Sequence, residues 1–553
     1  MCCTFAAAGK MRAALMLIFL HQRKEKMKNR NQLAIAALLL CCTAGAQTEF
    51  QRTLGGPGIE FCWDIKATAD SAFVFAGNTN YGQFGGNIYL CKIDMHGDTI
   101  WSRALGGNSS ESGYGVGQGA DGGFLVAGIT YSFGAGWSDA YAIKTDGSGN
   151  PTWSKTYGGV NAEDILAVTG TADGGFVLLG STSSFGAGSF DIYMLRVNLN
   201  GDTLWTKTIG GLAEDDGMAL QQTSDGGFIV TGQTKSFGAG AEDAYLLRTT
   251  GSGGLLWMKT YGDSVSETGL GVVQTPDGGF LMAGLSTSFS SDADAFLIRT
   301  DASGDTLWTK RYRGVSSDVF KHVLQTSDGG FLLTGESYSF GTGGDGFAVR
   351  TDSLGNLLWA KAYGGPSHDH FETAALTPDG FLLAGEEGSG FGAGLLDVYL
   401  VRTDSLGNSG CNELAASPVV SSAPMQVFTA SPLVSGTATI ITAPSTLAGH
   451  GGMQSTLCSS TVGMPENAAE EIFAVYPNPA QAAQTLSIRA DGISGECRVQ
   501  ISNAIGQRLF QQRSRKTSNE LLSFTLPELS AGLYFITLEA GGKKRTQRLV
   551  ILP

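Results

Sequence analysis

The chain lacks the usual announcements of a reaction. It contains no Cys-x-x-Cys, no His-Glu-x-x-His and no cluster of cysteine with histidine, so no structural zinc site lies within sequence reach. Adjacent cysteines occur only as Cys2-Cys3 and Cys41-Cys42. Basic residues are scarce: 36 lysines and arginines against 50 acids, a net charge of −14. That balance excludes a phosphate-tracking nucleic-acid face and favours solubility and cationic partners. Past the N-terminal segment no apolar run approaches the ~20 residues of a spanning helix, so no membrane span is expected in the mature chain. Charge vanishes altogether between Glu413 and Glu466.

Glycine is plentiful, 80 of 553 residues, and much of it is periodic. An aspartate, usually followed by Gly-Gly-Phe, recurs at Asp70, Asp121, Asp173, Asp225, Asp277, Asp328 and Asp379, every 51 or 52 residues. Repeats of this length, rich in short strands and glycine turns, are β-propeller blades. The unit from Glu163 to Gly211 reads as four strands: Ile165 to Thr169, Phe176 to Gly180, Ile192 to Val197 and Thr203 to Ile209. Asp-Gly and Asn-Gly pairs supply the positive φ that tight hairpins need. Strands such as Ala244-Tyr245-Leu246-Leu247 are apolar on both faces, which suits a sheet sandwiched between two others.

A D-x-x-G-x-x-x-W turn ends in Trp101, Trp153, Trp205, Trp257, Trp308 and Trp359, six tryptophans for seven units. Phe50-Gln51-Arg52-Thr53 matches Trp153-Ser154-Lys155-Thr156, and the last unit breaks off after Gly407. The N-terminal strand is therefore expected to complete the seventh blade, removing an edge that would otherwise pair with other chains. The pattern D-A-Y-L-L-R-T-D followed by G-x-x-x-W-x-K-T-Y-G-G is similar to the secreted bacterial β-propeller repeats labelled SBBP, and its turn resembles the tryptophan-docking motif of PQQ-type propellers. That resemblance covers residues 48 to 408 and implies fold, not function.

The ends read as addresses. Lys28 and Arg30, the apolar Leu33 to Leu40 and Ala44-Gly45-Ala46 before Gln47 have the layout of a cleavable secretory signal over residues 27–46, with Met27 the expected start and 1–26 an upstream extension. Residues 409–462 read as an uncharged linker or small β extension. Five cysteines follow the signal, an odd count; Cys411 and Cys458, which bracket that segment, are the candidate disulfide. Residues 463–553 alternate as a small Ig-like β-sandwich. Here Tyr476-Pro477-Asn478-Pro479, then Leu529-Ser530-Ala531-Gly532-Leu533-Tyr534-Phe535, then the terminal basic stretch and Leu549-Val550-Ile551-Leu552 closely resemble the type A C-terminal sorting domain of the type IX secretion system of Bacteroidetes. The resemblance implies passage through an outer-membrane translocon, cleavage by a sorting peptidase, and a secreted or cell-surface protein. An adhesive module is the alternative.

Ten residues before each repeat aspartate stands an acid: Glu60, Glu111, Glu163, Asp215, Glu267, Asp318 and Asp369. A second set, Asp139, Asp191, Asp243, Asp294, Asp345 and Asp397 with Asn87, precedes the third strand on the same face. Together they form either an acidic crown for calcium or a cationic partner, or a repeated structural cap. Phe133, Phe185, Phe237, Phe289, Phe340 and Phe391 form either an apolar ring for a glycan or protein ligand, or packing between blades. Residues that break the repeat point to a ligand more directly: Trp63 in the first unit, Lys321 and His322 in the sixth, His368, His370 and Phe371 in the seventh. The histidine pair suits a metal but has no third ligand in sequence reach. Function is accordingly expected to be that of an all-β, seven-bladed, non-catalytic binding module. The alternative is a glycan-active hydrolase or lyase using those same three units.

Overall fold

The computed structural model describes residues 49–80, 86–289, 292–388 and 390–436 without interruption, and most of 440–552 in strand-length pieces. The signal segment lies outside the described residues, as do Pro477, Asn478 and Pro479. The chain divides into two compact units, 1–462 and 463–553. Every regular element among the described residues is a β-strand.

The first unit holds seven five-stranded antiparallel sheets. In the unit read above, the strands run Ala167–Gly170, Phe176–Thr182, Asp191–Val197 and Thr203–Gly210, with the first starting two residues later than its sequence suggests. The Asp-Gly-Gly turn is locally self-sufficient. Thr171 Oγ1 donates to Asp173 at 2.6 Å, and Gly174 takes φ +91°. The aspartate then pairs with a buried cation on the third strand of its own sheet: Lys92 with Asp70 at 2.7 Å, Lys144 with Asp121 at 2.8 Å, Arg299 with Asp277 at 2.6 Å and Arg402 with Asp379 at 2.7 Å. Arg196 with Asp173, Arg248 with Asp225 and Arg350 with Asp328 repeat the pair. The recurrent aspartate is thus a hairpin fastener.

Third strands such as Asp191–Val197 are buried along their whole length because apolar side chains leave both faces. Seven apolar clusters alternate with the seven sheets, each drawing on two neighbours. One of them joins Leu382 and Leu400 of the seventh sheet to Phe73 and Phe75 of the first. A second tie repeats between sheets. Trp153 Nε1 donates to Leu199 O at 2.9 Å, Tyr157 OH to Gly201 O at 2.8 Å, and Lys155 pairs with Asp202 at 3.0 Å. Phe50–Gly55 pairs with Asp397–Asp404 and makes the equivalent tie to the first sheet, Arg52 to Asp98 at 2.5 Å with Phe50 over Gly97.

Residues 409–462 are more than a linker. Glu413–Ala415 adds the fifth strand to the sixth sheet, Val419–Ser422 to the fifth, Gln426–Thr429 to the fourth, and Leu433–Ser435 to the third. Ile440–Thr442 continues on the second, Leu447–Gly449 on the first, and Met453–Ser459 finishes on the seventh beside Phe50–Gly55. The segment runs against the order of the sheets and covers every outer edge. Cys411 is disulfide-bonded; Cys458 stands opposite Gln51 in register, and its side chain lies outside the described residues. Cys62 and Cys91 are free and buried, and Cys497 is buried with its Sγ donating to Ser514 O at 3.3 Å.

The second unit has a three-stranded sheet, Phe473–Tyr476, Thr485–Ala490 and Leu522–Thr525, and a five-stranded sheet of Ala480–Gln481, Lys543–Leu552, Gly532–Ala540, Gly495–Asn503 and Arg508–Lys516. Leu486, Ile488 and Phe524 of one sheet share a core with Val499, Ile536 and Leu549 of the other. Tyr534 belongs to that core, 9% exposed, with its hydroxyl donating to Ser530 O at 2.8 Å. Gly532 is exposed at the start of its strand.

Candidate functional site

The first strand of six sheets carries a register shift that leaves one residue unpaired: Trp63, Tyr114, Met218, Leu270, Lys321 and Glu372. Leu166 holds the equivalent position just before the shortened strand of the third sheet. A bulge re-aims its extra side chain. All seven line one cavity of about 390 Å³, to which every sheet of the first unit contributes.

The wall of this cavity is two-sided. Leu166, Val168, Met218, Leu220, Leu270 and Val272 make one side apolar. On the other, Trp63, Asp64, Lys66, His322, Lys321 and Glu372 come from the first, sixth and seventh sheets. Phe61 stacks on Trp63 with centroids 5.6 Å apart, and Tyr114 meets Trp63 edge-on at 5.4 Å. Three buried polar atoms of this wall have no hydrogen-bond partner: Trp63 Nε1, His322 Nδ1 and Thr373 Oγ1. Burial, with Lys66 nearby, pushes the His322 pKa down to about 3, so its imidazole is neutral.

Behind this wall sits a charged network. Lys321 Nζ donates to Glu372 at 2.5 Å; His370 Nε2 stands 2.9 Å from Glu372 and 2.8 Å from Glu386; and His368 Nε2 stands 3.1 Å from Glu336. Burial alone would raise the Glu372 pKa, but Lys321 and His370 hold it down to about 2. Burial also opposes the positive charge on His370, yet the two carboxylates lift it to about 9. Lys66 Nζ donates to Asp64 at 2.5 Å. Sequence singled out Trp63, His322, His368 and His370, and the structure gathers all four on this side. Glu372, Glu336, Glu386, Asp64 and Tyr114 were missed. Glu372 and Asp64 break the repeat as plainly as Trp63 does, so a position-by-position comparison of the first strands would have found them.

The acidic crown is internal. Glu60, Glu111, Glu163, Asp215, Glu267, Asp318 and Asp369 are at most 1% exposed. Each accepts a backbone N–H from four residues earlier, from Gly56 at 2.7 Å, Gly107 at 2.7 Å and Gly159 at 2.8 Å through to Gly365 at 2.7 Å. Six also accept a hydroxyl from the second strand, as Glu163 does from Thr182 at 2.7 Å. They cap loops rather than face solvent. Asp139, Asp191, Asp243, Asp345 and Asp397 likewise accept from the glycine loops of their own sheets. Burial, with Asp369 beside it, lifts the Asp345 pKa to about 6. Among the described residues, the groups able to offer three ligands to one ion are Glu336 with His368 and His370, and His370 with Glu372 and Glu386; no crown acid joins them. The six loop phenylalanines are half-buried, as in Phe133 against Tyr141 at 5.6 Å and Phe340 against Phe347 at 5.7 Å.

Comparison with known proteins bears on the C-terminal unit. Residues 474–552 match the family described as secretion system C-terminal sorting domain. That domain marks proteins exported by the type IX secretion system, so the chain engages that system and reaches the cell surface or the extracellular space. The regulatory protein FlaEY of Caulobacter vibrioides is 29% identical over 161 residues, 24% of this chain. The chain spans 17% of the length of that relative. Among solved structures, Sqt1 from Chaetomium thermophilum aligns with 62% of this chain and 82% of its own at 11% identity and a TM-score of 0.38. No helix among the described residues is long and apolar enough to cross a membrane.

Proposed function

We propose that the chain is an exported seven-bladed β-propeller of the SBBP-like kind, joined to an Ig-like sorting domain, and that it binds an extracellular ligand in its central cavity without turning it over. Seven sheets alternating with seven shared cores, and the tie from Phe50 and Arg52 to the first sheet, support a ring closed by the N-terminal strand. The observation that carries the binding reading is the trio of buried, unpartnered atoms on Trp63, His322 and Thr373, set in the one wall that breaks sevenfold repetition. Leaving a buried polar group unpaired costs about 1–3 kcal/mol, which a ligand that supplies hydroxyl groups returns.

The volume of about 390 Å³, an aromatic platform at Trp63 and Tyr114 and an opposing apolar wall suit a saccharide-sized ligand with one apolar face and hydroxyls on the other. A hydrolase would need a carboxyl group holding its proton beside the ligand. Glu372 is instead ionised against Lys321, and Asp64 is paired with Lys66, which favours binding. The test is thermal unfolding of residues 47–553 against a panel of polysaccharides and their oligomers, with product release followed in the same samples. At a hundred times its Kd a ligand adds about 2.7 kcal/mol, a readable shift. A shift from one glycan class without product release is the expected result. A shift with turnover would establish the enzyme reading, and no shift from any glycan would overturn the saccharide assignment.

A further inference from the structure

We infer that Glu336, His368 and His370 form a site for a first-row divalent transition metal ion, of which zinc is the reference case. Glu336 sits near the end of the second strand of the sixth sheet, Phe331–Ser337. His370 is the second residue of the first strand of the seventh sheet, Asp369–Leu376, and His368 lies just before it. Packing of the two sheets supplies the third ligand that the histidine pair lacks along the sequence. Their ligand atoms lie within 4.8 Å of one another. Groups bound 2.0–2.2 Å from a common ion stand at most about 4 Å apart, so small side-chain rotations bring these three onto one ion.

The support around His370 is that of a metal ligand. A ligating imidazole as a rule gives its other ring nitrogen to a carboxylate that fixes its orientation. Nε2 of His370 is engaged by Glu372 at 2.9 Å and Glu386 at 2.8 Å, and Glu386 is its direct cross-strand neighbour. Nδ1 is buried with no hydrogen-bond partner, on a residue only 7% exposed. His368 stacks on Tyr338 with centroids 5.7 Å apart and keeps 42% of its side chain exposed, which gives an ion access and leaves coordination positions open to water. Two imidazoles and one carboxylate select a transition ion over calcium or magnesium, whose ligands are oxygens. Because Glu372 both braces His370 and lines the cavity, the ion would sit directly behind the polar wall.

The site stands or falls independently of any saccharide. The experiment is titration of the untagged full chain with cobalt(II), read by visible absorption, and with zinc(II) in competition with a chromophoric chelator. One ion per chain is expected. His368→Ala and Glu336→Gln should each weaken binding at least tenfold while melting within a few degrees of the parent, since both residues are partly exposed. His96→Ala, at an exposed histidine 3.6 Å from Asp94, serves as the control and should change nothing. Retention of one-to-one binding by both His368→Ala and Glu336→Gln would overturn the assignment, as would the absence of stoichiometric binding at micromolar metal.

Discussion

Glu163 and Asp164 are neighbours with opposite roles. Glu163 recurs in every sheet in kind and takes hydrogen bonds from Gly159 N at 2.8 Å, Thr182 Oγ1 at 2.7 Å and Ser184 N at 3.1 Å. Glu163→Ala leaves Gly159 N and Thr182 Oγ1 buried without that acceptor, while Ser184 N keeps Thr182 Oγ1 at 3.1 Å, and is expected to cost about 2–4 kcal/mol in chemical denaturation. Asp164 has a counterpart only in Asp216 of the next sheet, and accepts Ser181 N at 2.8 Å. Burial, with Asp216 and Glu163 adding to it, lifts its pKa to about 7 from an ordinary value of 3.8. A raised carboxyl pKa means the folded state holds a proton that the unfolded chain releases. Its contribution to stability is therefore full below about pH 4 and is lost as pH rises through about 7. Asp164→Asn keeps an acceptor for Ser181 N without the charge. Its stability gain over the parent should grow from pH 4 to pH 7 and level off above, as read by thermal melts across pH. A gain independent of pH would contradict the assignment. Sequence made the recurrent acids visible, but burial decides their role, and a sevenfold repeat marks structure more often than a ligand.

At the scale of elements, the tryptophan-bearing strand and the turn of the next sheet form the repeated joint. Gly201 takes φ +73°, and a Cβ there would lie 2.7 Å from the Trp153 ring. Gly201→Ala combines backbone strain with that clash and is expected to lower stability by about 2 kcal/mol, measured by denaturant titration. The four core strands of each sheet were legible because short apolar runs, Asp-Gly turns and the repeat agree. The outer strands were not. At three or four residues, with Ser and Thr among them, most are too short to show a period of two. Their signal was a spacing close to seven, with Ala416, Ala423 and Ala430 packed inward and Val420, Val427 and Val434 in the strands between. Short polar edge strands also prevent sheet-to-sheet association. A chain ending at residue 412 should melt about 5–10 °C below one ending at 462 and self-associate in sedimentation. Equal melting of the two would make the outer strands dispensable.

Over the whole molecule, repetition builds the scaffold and departures from it build the site. Six sheets present their bulge residue identically, and the third reaches the same place from just outside its strand. The same scaffold therefore offers Leu166, Met218 and Leu270 on one side of the cavity and Trp63, Lys321 and Glu372 on the other. The first, sixth and seventh units were readable as the odd ones because their residues break the consensus. That Glu336 and Glu386 complete the charged network was hidden, since the contacts cross strands and sheets rather than follow the sequence. The most direct test of this division is calorimetric titration of the best saccharide from the panel into the parent chain, Trp63→Ala and Leu220→Ala. Loss of Trp63 should weaken binding at least tenfold, and loss of Leu220 by less than threefold. Equal binding by the parent and Trp63→Ala would contradict the assignment of the polar wall as the ligand site.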